Sequence, residues 1–594
     1  MTIPRSIHLL LALTLLAVAL RADTFFPEAS TADRPNPLAS PHAVPGGTIT
    51  EHLGPSPKSL NYYLDANTMS AQVFGLMYES LLDRDPLTLE NARGLAERWS
   101  ISDDQMVFTF WLDSSARWSD GRPVTPEDVV WTYEAVMAPE NLTGPHKMEL
   151  ERLEKPEILP DGGIRFRAKE LHWQNLNAAG GFAILPKHAY ANQDFNKINF
   201  VFPVVSGPYA IAELKEGISL TMKRRQDWWQ NQRLAAKGLF NFSEIRYRFF
   251  ADRNNAFEAF LKGEIDVMQV YTASQWHDIE NKYKPVRRNW IVRQGIHNHQ
   301  PIGFQGFAMN MRRPPFDDVK VREAMACLLD RETLNRTMMF DQYFLHRSYW
   351  EDLYDAEHPC DNPSPTFDPD RARALFAQAG WRLNPQNGKL EKNGRPFVFS
   401  FTSRDSSTEK FLVGFREALK DQGITMSIVN KDWSAWAKDM DEFNFDMTWC
   451  AWGAGVFKDP EGLWHSREAT RPGSSNITGF GNPEVDKLID SQKAIFEVAA
   501  RHNIVRQIDK LICRQFPYVL LWNSDCIRLL YWNKFGTPPT VTGKYGDETS
   551  FWWFDEDRAD ELRDAIDNDE PLPPVTREIW FDKIIQGQAL PTNH

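Results

Sequence analysis

Cysteine is scarce in this chain: five among 594 residues, Cys327, Cys360, Cys450, Cys513 and Cys526. No C-x-x-C spacing occurs among them, which removes the usual zinc and dithiol-redox motifs. None lies near the N-terminus, so no thiol there can carry a lipid anchor. The odd count leaves at least one thiol unpaired within the chain. Positive charge is also in deficit: 67 Lys and Arg stand against 80 Asp and Glu, a net charge of −13. That balance disfavours a phosphate backbone as partner, and no nucleic acid is expected. Beyond the first residues no run reaches the roughly 20 apolar residues that a membrane-spanning helix needs. Catalytic signatures are missing as well. There is no G-x-S-x-G elbow, no H-E-x-x-H and no G-x-x-x-x-G-K-[ST] phosphate loop. Gly453-Ala454-Gly455 and Gly479-Phe480-Gly481 lack the third glycine of a dinucleotide loop and read as turns. No catalytic residue and no cofactor are expected.

What is present starts with an export signal. Arg5 supplies a positive start, Ile7 to Leu20 form an apolar stretch broken only by His8 and Thr14, and small residues allow cleavage after Ala19 or Ala22. The mature chain is expected outside the cytosol, as a freely diffusing periplasmic monomer rather than a lipoprotein. Residues 23–45 are rich in Pro, Ala and Ser and predict an irregular N-terminus. Tryptophan is abundant, with 21 copies, which suits both core packing and adaptable pocket walls.

Strand and helix patterns then alternate. Residues 106–112 predict a strand with Phe108, Phe110 and Leu112 on one face. Thr125, Pro126 and Asp128 start a helix with the stripe Val129, Val130, Tyr133 and Met137. Residues 244–250 predict a half-buried strand, 254–261 a helix and 264–270 a strand. After a strand ending at Phe307-Ala308-Met309-Asn310, Asp317 or Asp318 caps a helix whose stripe is Val321, Met325, Leu328 and Leu329. Helices at 370–380 and 408–422, a strand near 424–429, one helix over about 483–514 and a strand-like run over 518–532 complete the pattern. This order points to an α/β protein. His297 and His299 would share a face if extended and so form a candidate metal pair. No third ligand follows from the spacing, a polar surface turn explains them better, and no metal is expected.

Several segments together resemble the family 5 (cluster C) extracellular solute-binding proteins of ABC importers. They are Gly94-Leu95-Ala96-Glu97-Arg98-Trp99, Trp118-Ser119-Asp120-Gly121 with Thr125-Pro126-Glu127-Asp128, Ser206-Gly207-Pro208-Tyr209, Gly263-Glu264-Ile265-Asp266-Val267, Pro314-Pro315-Phe316-Asp317-Asp318-Val319 and Asn482-Pro483-Glu484-Val485-Asp486. The doubled prolines and the Trp552-Trp553 tail resemble the YejA-type oligopeptide-binding branch. The resemblance implies a periplasmic binding protein type II-like α/β fold of two lobes joined by a hinge. Lobe I would take 46–308, with an inserted subdomain over about 90–200. Lobe II would take 309–529, and 530–594 would return to lobe I, with crossings near Met309 and Tyr531. It also implies an oligopeptide or peptide-like ligand, delivery to permease subunits in the inner membrane, and no enzymatic activity. Another solute (an opine-like conjugate, a nickel chelate or an oligosaccharide) remains the alternative, and a secreted hydrolase the more remote one. By the same resemblance Trp433, Trp452, Asn476 and Trp522 are candidate ligand-binding residues. Gly455 stands where well-known members place an Asp that holds the peptide ammonium, and Asp459 and Glu461 are nearby carboxylates that could substitute.

Overall fold

The computed structural model describes residues 23–587 except 28–33, 55, 65–67, 198–199, 251, 301, 405–407 and 547–549. The export signal expected over 1–22 lies outside the described residues. Among the described residues no helix is long and apolar enough to cross a membrane.

Three of the sheets position everything else. An eight-stranded mixed sheet has the order Glu578–Trp580, Ile291–His297, Ile527–Trp532, Val267–Gln269, Thr48–Leu53, Glu244–Phe249, Ser219–Arg224, Tyr209–Lys215. Glu244–Phe249 shows why such strands form. Ile245, Tyr247 and Phe249 are buried while Arg246 and Arg248 face outward, so alternate side chains serve core and solvent. A second, five-stranded sheet runs Thr425–Asn430, Val398–Ser403, Met447–Gly453, Gly303–Met309, Tyr518–Leu520. A third, antiparallel sheet holds Thr24–Phe26, Ala96–Ile101, Val107–Leu112, Ile164–Arg167 and Glu157–Ile158. Its helix, Pro126–Met137, starts at a capping box. The buried Asp128 carboxylate accepts from Thr125 N (2.9 Å), Trp118 Nε1 (3.2 Å) and Lys187 N (2.8 Å), so one acid both starts the helix and pins two loops.

The structure moves four sequence expectations. The N-terminal stretch is not wholly irregular: Thr24–Phe26 adds an edge strand beside Ala96–Ile101. Three residues are too few to show alternation. Stacking of Phe25 on Trp111 and Phe26 on Trp99, with centroids at 5.9 and 5.8 Å, supplies the cross-strand support. The helix over 483–514 is two helices, Pro483–Gln492 and Val498–Cys513. Glu497 caps the second through Ala499 N and Ala500 N, and Arg501 Nη1 binds the carbonyls of Ile495 and Phe496 in the break. The run 518–532 is divided among three sheets as Tyr518–Leu520, Trp522–Asn523 and Ile527–Trp532. Finally, Gly303–Met309 pairs with Met447–Gly453 and Tyr518–Leu520 in the second sheet, and Ile527–Trp532 lies inside the first. The chain therefore leaves the first sheet after His297 and joins the second at Gly303, and leaves the second after Leu520 and rejoins the first at Ile527, a few residues before Met309 and Tyr531.

Candidate functional site

In open α/β sheets ligands settle in the crevice outside the carboxyl ends of parallel strands. Val398–Ser403 runs parallel to both Thr425–Asn430 and Met447–Gly453. Just past their carboxyl ends lie Arg404, Trp433 and Gly455. In the eight-stranded sheet Thr48–Leu53 runs parallel to Glu244–Phe249 and Val267–Gln269, whose ends lead to Phe250 and Tyr271. Tyr343 Oη donates to the Tyr271 carbonyl at 2.8 Å, which ties this edge to the segment leading into Phe344–Leu345.

Trp433 opens the helix Trp433–Asp441, whose cap Asp432 accepts from Ala435 N. Its ring is 60% exposed and stacks on Trp436 at 5.2 Å. The Arg404 guanidinium lies 5.0 Å from both ring centroids. Trp436 is fixed from below, its Nε1 donating to Thr448 Oγ1 at 2.9 Å. Trp452 is half-buried in the strand Met447–Gly453, and its Nε1 donates to Tyr518 Oη at 3.0 Å. Trp433, Trp452 and Gly455 thus lie at or beside the carboxyl edge.

Trp522 and Asn476 do not. Trp522 is buried, edge-on to Trp449 at 5.8 Å, so it backs the edge without reaching it. Asn476 is 1% exposed and braces a turn: its Oδ1 accepts from Phe480 N at 2.9 Å, its Nδ2 donates to Phe480 O at 2.8 Å, and its carbonyl accepts from Arg312 Nη2. Asn476→Ala is expected to lower unfolding stability by about 2 kcal/mol in urea titrations while changing ligand affinity less than about twofold. A large affinity loss at unchanged stability would return Asn476 to the site.

A cavity of about 380 Å³ opens beside Gly455. Arg84, on the strand Leu82–Arg84, lines it together with Glu149, Arg152, Gln174 and Asn177 from around the third sheet, Gly455 to Phe457 from the end of the second sheet, and Tyr545 from the C-terminal segment. Next to it the two sides are clasped. Trp173 N donates to the Lys493 carbonyl at 2.9 Å, and Trp173 Nε1 donates to Gln492 Oε1 at 2.9 Å. Arg501 lies 4.1 Å over the Trp173 ring, and Phe457 is 6.2 Å away. The helix break at 493–497 thus has a use: it frees the Lys493 carbonyl for a partner on the other side. Arg152 Nη2 stands 3.8 Å from both Asp459 and Glu461. Lys493 Nζ holds Glu461 at 2.9 Å, and Arg467 pairs with it too. Asp459 and Glu461, the carboxylates that could substitute for the ammonium-binding Asp, pair with this chain's own cations.

His172, Asp459 and Glu461 bring three possible metal ligands within 4.8 Å of one another. Arg152 Nη1, however, is 3.0 Å from His172 Nδ1, so a guanidinium already stands where a metal cation would have to bind. Gln174 N donates to the same Nδ1, which must be unprotonated there. Burial, with Arg152, Lys493, Arg501 and Arg467 nearby, pulls the His172 pKa down to about 3. His297 and His299 do not converge. His297 pairs with Glu578 at 2.9 Å and stacks on Trp580, while His299 pairs with Asp582 at 3.1 Å. The helix cap at Asp318 is as expected, accepting from Lys320 N.

Sequence reasoning missed Arg84, Arg152, Trp173, Phe457 and Tyr545, which no local motif marks. Trp436 carried a signal, since it follows Trp433 by three residues and shares its helix face.

Comparison with known proteins adds the following. The profile of the bacterial extracellular solute-binding proteins, family 5 Middle, matches residues 92–474, more than half of the chain. The peptidoglycan-binding protein YepA of Agrobacterium fabrum is 28% identical over 581 residues, covering 89% of this chain and 93% of its own length. The probable peptide-binding protein YejA of the same organism is 28% identical over 558 residues, covering 86% and 90%. Among solved structures, the oligopeptide-binding protein AppA from Bacillus subtilis, in complex with a nonapeptide, superposes with a TM-score of 0.71 at 22% identity, over 86% of this chain and 100% of that one. The match to that two-lobed fold agrees with the two large sheets and the double passage between them. By the extent of the profile match, the chain belongs to the bacterial extracellular solute-binding proteins, family 5.

Proposed function

We propose that this protein is the substrate-binding component of an ABC importer, taking oligopeptides or peptide-like compounds between its lobes and handing them to the permease. The observation that carries the reading is a cavity of about 380 Å³ beside the carboxyl edge of the second sheet, walled on its other side by residues between Arg84 and Ala178 and by Tyr545, a volume that suits a small ligand or one segment of a longer one. The names of the relatives and the nonapeptide complex support a peptide as the class of cargo. The protein would act as a monomer in the periplasm after removal of its export signal, without catalysis. The two crossings between the large sheets, one ahead of Gly303 and one ahead of Ile527, would act as the hinge. A ligand touching both lobes favours the closed form by its differential contacts. Exposed rings such as Trp433 offer broad contact area with few rotors, which suits varied side chains.

The test is native mass spectrometry of the protein purified gently from its host periplasm, followed by small-angle scattering with and without a pool of tri- to pentapeptides. A bound peptide-like mass and a smaller radius of gyration with the pool are expected. A co-purified mass of another class, with no compaction by any peptide, would overturn the reading.

A further inference from the structure

We propose that the cavity beside Gly455 is an anion subsite, in which the bound solute places a carboxylate on the guanidinium of Arg84 with Arg152 behind it. The inference rests on the peptide reading above and narrows it, from any peptide to one that presents either its C-terminal carboxylate or an acidic side chain at this point.

Four observations carry it. First, the wall of the cavity holds two guanidinium groups, Arg84 and Arg152, against one carboxylate, Glu149. Second, Arg84 is held in place by a carbonyl and an aromatic ring, and the charge that acts on it is the carboxylate of Asp83, its neighbour in the strand, with which its side chain forms no ion pair. Its Nη1 donates to the Leu89 carbonyl at 3.0 Å, and its guanidinium lies 5.0 Å over the Phe457 ring from the other side of the cavity. Among the described residues it forms no side-chain ion pair, so most of the five N–H donors of its fork are left for a planar acceptor. Third, cations crowd around Arg152, the charged member of the adjoining clasp that lines the cavity. The buried His172 is kept neutral, with Arg152, Lys493, Arg501 and Arg467 all opposing its protonation. The carboxylates Asp459 and Glu461 are already spent on Arg152, Lys493 and Arg467. Fourth, the lip is open at Gly455. A Cβ built there would meet only the Phe457 carbonyl, at 3.4 Å, and the residue has no positive φ. A side chain fits at that position, so an acid placed there would reach the cavity without rebuilding the loop.

Calorimetric titration with matched peptides tests this. Tetra-alanine is compared with its C-terminal amide, and Ala-Ala-Glu-Ala amide with Ala-Ala-Gln-Ala amide. The first pair reads the chain end and the second reads a side chain. In the wild-type protein at least one charged member is expected to bind about tenfold or more tightly than its neutral twin, as a charge-assisted hydrogen bond allows. Arg84→Ala should erase that preference, so that the charged and neutral twins bind alike, and Arg84→Lys should restore part of it. Gly455→Asp, checked for an unchanged melting temperature, should weaken the charged members selectively. If the peptides bind but charge makes no difference, or if Arg84→Ala keeps the preference, the subsite is wrong and the peptide reading stands. If none of the four peptides binds, the peptide reading itself falls, and the subsite with it.

Discussion

Trp173→Ala is expected to weaken peptide binding by roughly 30- to 100-fold, through loss of the closed form rather than of ligand contacts. Trp173 is 7% exposed, covered by Phe457, Gln492, Lys493 and Arg501 from far along the chain. Its ring lies under Arg501, and its Nε1 reaches the fully buried Gln492. Truncating a buried Trp costs roughly 3 kcal/mol or more, and each 1.4 kcal/mol is a factor of ten. Part of that burial lies within the small-sheet side and survives opening, so roughly 2–3 kcal/mol belongs to closure. A binding-competent form populated to a smaller fraction raises the apparent Kd by the same factor. Scattering supplies the second readout: the variant with peptide should keep the larger radius of gyration of an open molecule at concentrations that close the wild type. Trp173→Phe keeps a ring under Arg501 but loses the bond to Gln492, and should fall between. Wild-type affinity in the alanine variant would remove the clasp from the closing mechanism.

The clasp also marks where the sequence stops being readable. The helix Pro126–Met137 was legible because its start is local: Thr125, Pro126 and Asp128 lie within four residues, and the cap forms among them. The positions of Trp433 and Gly455 just past strand ends were legible through motif order. Trp173 was not, since its partner Gln492 is 319 residues away and nothing in Leu171-His172-Trp173-Gln174 carries a period or a cap. The same limit explains the sheet boundaries. Propensity makes 518–532 extended, but only pairing with Gly303–Met309 on one side and Ile291–His297 on the other assigns its parts to different sheets. Asn476 and Trp522 show the converse limit. Their residue types suit a binding site, but whether a Trp or Asn faces a cleft or the core depends on what packs over it, and here Trp449 and the Phe480 turn cover them.

Asp509→Ala should produce the largest loss of stability, roughly 3–5 kcal/mol in urea unfolding, and should loosen the lip of the cavity as well. Asp509 is fully buried on the helix Val498–Cys513. It accepts from Ser348 Oγ at 2.7 Å, Tyr354 Oη at 2.7 Å, Asn362 Nδ2 at 2.6 Å and Tyr349 N at 3.0 Å. Burial raises its pKa, and these donors oppose the shift. Alanine leaves four donors facing an apolar void, and each buried donor without an acceptor costs about 1–3 kcal/mol, partly relieved by hydroxyl rotation. Asp509→Asn keeps one carbonyl oxygen for the three side-chain donors and should cost about 1–2 kcal/mol, less than half as much. The consequence reaches the site through one short path. Asp509 holds the segment 348–362, that segment carries Asp352, and Asp352 binds the buried Lys458 ammonium at 2.6 Å. Lys458 Nζ in turn donates to the Gly455 carbonyl at 2.9 Å. In the alanine variant, hydrogen exchange should rise at 455–458 as well as at 348–362, and peptide affinity should fall with it. A shift below about 1 kcal/mol would show that water satisfies the four donors. Full destabilisation with unchanged exchange at 455–458 would instead separate this buried carboxylate from the cavity lip.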